Sequence, residues 1–182
     1  PSLFEAAFGD TAITITRIGL GLGQFLKAIR SYESKYDAGL ANDFADFTPL
    51  EEEGRALFFS GVHSCVNCHT TVNFGGVSSH VNGLNAGGEG DPGVGGITED
   101  PEDMGRFKSV TLRNIELTAP YMHDGRFETL EDVLSFYSTD IQSHPFLDDR
   151  LTTDNSIGGP PEILDITPAE KAAYIAFLKT LT

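Results

Sequence analysis

Cys65 and Cys68 are the only cysteines in the chain, and they stand with His69 in the run Cys-Val-Asn-Cys-His. A C-x-x-C-H run is the covalent attachment signature of a c-type haem, in which two thiols add across the porphyrin vinyl groups and the adjacent imidazole takes the iron. The spacing has a mechanical basis. Two intervening residues let one short turn present both sulfurs to one edge of the macrocycle, and His69 then projects beneath the metal. Cys65 and Cys68 are therefore read as anchors and His69 as the proximal ligand. A zinc site would need a second ligand pair, yet His63, His80, His123 and His144 are scattered singly. A thioredoxin-like pair would need a βαβ context, and the flanking sequence has no strand alternation.

The motif sets further expectations. Haem is attached to cysteines outside the bacterial cytoplasm, so a periplasmic location is expected, and a chain starting at Pro1 without an apolar leader is expected to be mature or trimmed. The longest apolar stretch, Ile13 to Ile29, is broken by Arg17, Gln24, Lys27 and glycines, so no membrane span is expected. The formal charge of −15 argues against nucleic acid, whose phosphates need a basic face, and suits a cationic redox partner or simple solubility.

Periodicity points to an all-α domain. Ile15, Ile18, Leu22, Phe25, Leu26 and Ile29 recur at intervals of three and four, which predicts a helix over residues 14–30 with Gly19, Gly21 and Gly23 set for close helix packing. Thr48-Pro49-Leu50-Glu51 and Thr167-Pro168-Ala169-Glu170 are capping boxes with proline at the first helical position, and they predict helices over 48–60 and 168–180. Thr129 caps a helix predicted over 129–138, with Leu130, Val133, Leu134, Tyr137 and Ile141 on its inward side. Gly83 to Gly96 holds seven glycines and Asp91-Pro92, which predicts a long loop over a haem edge. Gly87-Gly88-Glu89-Gly90-Asp91 lacks the aspartate of a calcium nonapeptide, because Pro92 occupies that position.

From Gly105-Arg106-Phe107-Lys108 through Leu112-Arg113-Asn114, Thr118-Ala119-Pro120-Tyr121-Met122-His123-Asp124-Gly125 and the terminal Ile175-Ala176-Phe177-Leu178-Lys179-Thr180-Leu181-Thr182, the motifs fall in one order. In that order, after the haem motif, they resemble the C-terminal haem domain of bacterial dihaem cytochrome c peroxidases, more closely the MauG-type branch. The resemblance runs from about residue 47 to the end. It implies a cytochrome c-type domain over 47–182 wrapped around one haem with long glycine-rich loops. Residues 1–46 are similar to the segment that closes the N-terminal haem domain. Relatives carry two C-x-x-C-H motifs and this chain has one, so the other haem domain is expected in the same or a separate chain.

The resemblance also implies roles. The expected function is the electron-storing and electron-transfer half of an oxidoreductase that uses hydrogen peroxide to oxidise a small c-type cytochrome or a partner protein; the alternative is a stand-alone electron-transfer cytochrome. In the MauG-type branch a tyrosine at the position of Tyr137 ligates the iron, a hard donor that lowers the potential relative to methionine. Met122 is the alternative distal ligand, and a core tyrosine with a bonded hydroxyl is the structural alternative for Tyr137. Arg106, Lys108 and Arg113 bracket the implied pocket wall, as partners for haem propionates or as surface charge. Backbone carbonyls matching Thr118 and Pro120 hold a calcium ion between the haem domains of relatives. His123 and Asp124 are read either as groups behind the ligands or as part of a turn fixed by Gly125.

Overall fold

Two capped helices cross so closely that no side chain fits between them at Gly54. Helix α4 (Pro49–Ser60) and helix α8 (Pro168–Lys179) each begin at a threonine whose hydroxyl accepts the N3 amide while the N3 glutamate reaches back to the cap. At their contact Gly54 faces the Ala173 carbonyl, and a Cβ on Gly54 would lie 1.9 Å from that oxygen. Phe58 from α4 and Ala173, Tyr174, Phe177, Leu178 and Leu181 from α8 and its continuation are buried around the crossing.

The structure is a computed structural model describing residues 1–87 and 90–182. Gly88 and Glu89 of the glycine-rich run lie outside the described residues. The chain divides into two compact units, Pro1–Tyr32 and Glu33–Thr182.

The first unit holds α1 (Ser2–Phe8) and α2 (Ile15–Ala28). Thr14 caps α2, and Arg17 pairs with Asp10 through two bonds, one of them 2.8 Å. The apolar stripe of α2 is exposed, with Ile15 at 82% and Phe25 at 63%. The close packing expected of Gly19, Gly21 and Gly23 is not found among the described residues, where nothing lies within 4 Å of an added Cβ.

The second unit begins at Glu33, whereas sequence similarity divided the chain between 46 and 47. The reason is local. Helix α3 (Lys35–Asn42) sets Tyr36 edge-on to Phe74 with ring centroids 4.9 Å apart, and the Tyr36 amide donates to the Thr180 carbonyl at 2.9 Å. Asp37 takes the Arg113 guanidinium, with Nη2 to Oδ1 at 2.8 Å. These contacts bind residues 33–46 to the second unit.

That unit is helix-dominated. After α4 come the single turn α5 (Cys65–Cys68), α6 (Gly95–Thr98) at the end of the glycine-rich stretch, and α7 (Leu130–Ser135) before α8. The only sheet among the described residues is β1 (Ser79–His80) antiparallel to β2 (Phe107–Lys108). No described helix is long and apolar enough to cross a membrane. The helix predicted over 129–138 is regular only to Ser135, and Phe136–Asp140 form a π-helical turn. An inserted residue of this kind widens the turn and is frequent at functional positions. Ser138 ties it down, its hydroxyl accepting the Ile166 amide at 2.8 Å and its carbonyl accepting the Asp165 amide at 3.1 Å.

Alanine normally stabilises an exposed helix interior relative to glycine by about 1 kcal/mol. Gly54→Ala is expected to do the opposite, destabilising by about 1–3 kcal/mol through overpacking against backbone. Denaturant unfolding checks this, and a neutral or stabilised variant would show that the crossing has room.

Candidate functional site

Helix α4 ends at Gly61 in the left-handed conformation, and Ser64, also left-handed at φ 58°, turns the chain into α5. The one turn Cys65–Cys68 closes with the His69 amide donating to the Cys65 carbonyl at 3.1 Å. Both thiols are unbridged. Burial pushes the Cys65 thiol up to about 11, against the opposing hydrogen bond from Tyr174, and burial raises Cys68 as well. Both are therefore protonated at neutral pH, the opposite of the depressed pKa that marks a redox-exchange cysteine. Among the described residues no group of three or more His, Cys, Asp or Glu side chains is arranged to hold a metal ion by itself.

His69 is held by its ring. Nδ1 lies 2.7 Å from the Phe74 carbonyl, which has no proton to give, so Nδ1 carries the hydrogen and Nε2 keeps its lone pair. Phe74 is buried with φ 54°, a conformation costly for a bulky residue, and its amide donates to Thr71 at 2.8 Å to close the loop that aims the carbonyl. Burial lowers the His69 pKa against the opposing hydrogen bonds to the Phe74 and Val110 backbones, which favours the neutral imidazole. A neutral, oriented imidazole is the ligating state.

The π-helical turn carries Tyr137. Burial pushes its phenol up to about 12, opposed by a hydrogen bond from Asn82, and the Cys68 and Cys65 sulfurs act on it electrostatically. Asn82 Nδ2 donates to the Tyr137 hydroxyl at 3.2 Å and lies 3.9 Å from Met122 Sδ. Asn82 thus joins Tyr137 and Met122. Both candidate distal ligands adjoin the same amide. Met122 sits in a left-handed turn at φ 71°.

The three cations divide. Arg106 is near Asp103 at 3.6 Å and Lys108 is exposed on β2. Arg113 is largely buried and its terminal nitrogens bind Asp37 and the Val72 carbonyl, the latter at 3.2 Å. Its Nε is the only buried side-chain nitrogen or oxygen among the described residues without a hydrogen-bond partner. Thr118 and Pro120 are exposed and flank the cis Ala119–Pro120 bond. His123 stacks on Phe107 at 3.7 Å and lines a cavity with Asn82, Met104 and His144. Asp124 instead holds a turn, accepting from Arg126 Nε at 2.8 Å.

A second cluster was not found from sequence. Arg150 donates from Nη1 to the Asn67 carbonyl, inside the cysteine turn, at 2.9 Å, and from Nε to Asp148 at 2.6 Å. Asp148 also meets His80 Nδ1 at 2.7 Å. Burial raises the Asp148 pKa, but the Arg150 hydrogen bonds outweigh it and, with His80, bring the carboxyl down to about 2. A depressed carboxylate stabilises the fold above its ordinary range and loses that contribution as pH falls through its folded value. Between the ordinary value of 3.8 and about 2, Asp148 should therefore cost the fold about 2 kcal/mol on acidification. Denaturant unfolding against pH checks this. Asp148→Asn should flatten the acid limb while lowering stability at neutral pH.

No family model matches the chain. Individual proteins do. The chain is 33% identical to the cytochrome c551 peroxidase of Nitrosomonas europaea and 30% identical to the methylamine utilization protein MauG of Methylorubrum extorquens, in each case over 98% of this chain and 48% of the relative. A crystal structure of a MauG-like protein associated with microbial copper homeostasis superposes with a TM-score of 0.77 at 33% identity, over 98% of this chain and 57% of that one. The chain spans about half the length of the curated relatives it matches. By sequence and by structure, the chain is a homologue of the cytochrome c peroxidases and MauG.

Proposed function

We propose that Cys65 and Cys68 carry one haem c with His69 as its proximal ligand, and that the chain is the electron-storing and electron-transfer half of a dihaem peroxidase or MauG-like oxidoreductase. The observation that carries the reading is the His69 ring, oriented by the Phe74 carbonyl, beside two half-buried unbridged thiols in one turn. The residues fit the group. A haem propionate would satisfy the orphaned Arg113 Nε, with Arg106 and Lys108 as further candidates. When bound, the haem supplies an iron centre that gives and takes single electrons.

The protein's own groups hold and tune that centre. Tyr137 is the proposed distal ligand and Met122 its alternative. A phenol held near 12 by burial gives up its proton only to a strong local positive charge, which an iron centre supplies. Asn82 would keep its hydrogen bond to the resulting phenolate, because an amide N–H donates to either form. A phenolate-ligated iron is low in potential, which suits a site that shares an oxidising equivalent.

The remaining assignments rest on the same reading. The name cytochrome c551 peroxidase, carried by one relative, supports peroxide as oxidant and a reduced small c-type cytochrome as electron source; the resemblance to the MauG-type branch offers a side chain on a partner protein as the other electron source. The charge of −15 suits a cationic donor. Residues 1–46 are proposed as the end of the N-terminal haem domain, held to the second unit through residues 33–46, and the remainder of that domain would cover the exposed stripe of α2. The carbonyls of Thr118 and Pro120 are proposed calcium ligands, and covalent haem attachment implies the periplasm.

Intact mass and haem staining of the native full-length protein are expected to show two haems, one of them on this segment. Peroxide-dependent oxidation of reduced cytochrome c should be efficient in the full-length protein and poor in this segment alone; robust turnover by the segment would overturn the half-enzyme reading. Tyr137→Phe is expected to abolish the six-coordinate ferric spectrum. An unchanged spectrum, lost instead in Met122→Leu, would assign the iron to Met122.

A further inference from the structure

Tyr174 and His63 are a buried polar pair with no part in holding the haem. Tyr174 is 1% exposed and His63 7%, and the phenol oxygen lies 2.8 Å from His63 Nδ1. Tyr174 comes from α8, within the cluster of Phe58, Phe177 and Leu178, and His63 from the turn between α4 and the cysteines. The pair adjoins the attachment point. The His63 carbonyl is 3.6 Å from Cys65 Sγ, and the Tyr174 hydroxyl is within hydrogen-bonding reach of the same sulfur. Once that sulfur is a thioether it is a weak acceptor, so the imidazole nitrogen is the better partner for the phenolic proton.

The environment dictates how such a phenol reacts. Burial, with the nearby Cys65, holds the Tyr174 acidity far from neutral pH, so a phenolate does not form in advance. An electron can leave the ring only if the proton leaves with it, and that requires a base in contact. His63 is that base. Glu170 lies close enough for its carboxylate to interact with His63. A merely structural partner for the hydroxyl would need no basic nitrogen.

We propose that Tyr174 and His63 form a redox-active pair in which Tyr174 gives one electron to the peroxide-oxidised haem at Cys65 while its proton passes to His63 Nδ1. The Tyr174 O–H bond breaks and an N–H bond forms on His63. The haem gains the electron, and a neutral phenoxyl radical faces an imidazolium. One electron from the donor protein then reduces the radical, and His63 returns the proton. This inference rests on the haem oxidoreductase reading above and adds a site that holds an oxidising equivalent on the protein itself.

Electron paramagnetic resonance of the haem-loaded full-length protein, frozen after one equivalent of hydrogen peroxide, tests it. The expected result is an organic-radical signal that narrows when the tyrosines are ring-deuterated and disappears in Tyr174→Phe. His63→Gln keeps a hydrogen-bonding side chain but removes the base, and should lower the radical yield by roughly tenfold or more, with the oxidised haem bands persisting correspondingly longer. If Tyr174→Phe does not fold, His63→Gln decides. A radical that survives Tyr174→Phe, or an unchanged yield in His63→Gln, overturns the pair. A haem that peroxide oxidises without any radical overturns the pair and leaves the haem reading standing, whereas a haem that peroxide does not oxidise overturns both.

Discussion

The approach of Gly54 to the Ala173 carbonyl sets the position of nearly everything else in the second unit. It fixes α4 against α8 at backbone distance, and the end of α4 delivers the chain to the cysteine turn. The other partner, α8, presents Tyr174 to that turn, and the carbonyls just beyond it, Thr180 and Leu181, accept the amides of Tyr36 and Asn114. Three separate stretches of chain are thereby registered to one crossing. A methyl group at residue 54 would be felt at the cysteines because interiors transmit displacement rather than absorb it.

Burial then chooses the protonation states. It raises both thiols and the Tyr137 phenol and lowers His69, so every group at the site is neutral before any cofactor is attached. The charges nearby are instead paired at its edges, Arg150 with Asp148 and Arg113 with Asp37, where a lost partner would leave a half-buried ion uncompensated. Each pair also reaches a backbone carbonyl of the surrounding loops, Asn67 and Val72, so the pairing doubles as a clamp on the chain around the cysteines.

Local chemistry was legible in the sequence and distant chemistry was not. The threonines at 48, 129 and 167 marked helix starts correctly because a cap is made within four residues. Asn82, Asp148 and Arg150 escaped notice because each acquires its role from residues many positions away: Asn82 from Tyr137, Arg150 from Asn67. The π-helical turn was invisible for a different reason. Leu130, Val133, Leu134 and Tyr137 fit a regular helical period, and the widening after Ser135 is accompanied by Ser138 bonding to the segment before α8. The start of the second unit likewise depends on Asp37 meeting Arg113, a partner that no local pattern announces.

Two tyrosines near the same sulfurs have been given different neighbours, and the difference is chemical. Tyr137 receives a hydrogen bond from Asn82, an amide that donates and cannot take up a proton. Tyr174 faces His63, an imidazole that can. Burial raises the pKa of both phenols, so neither ionises on its own at neutral pH. The first can change state only by handing its proton away from the protein as a positive centre binds its oxygen. The second can pass its proton across a 2.8 Å hydrogen bond and recover it, so an oxidation there would be reversible without exchange with solvent. Ligation and transient storage are therefore separated by the identity of one neighbouring side chain rather than by the tyrosines themselves.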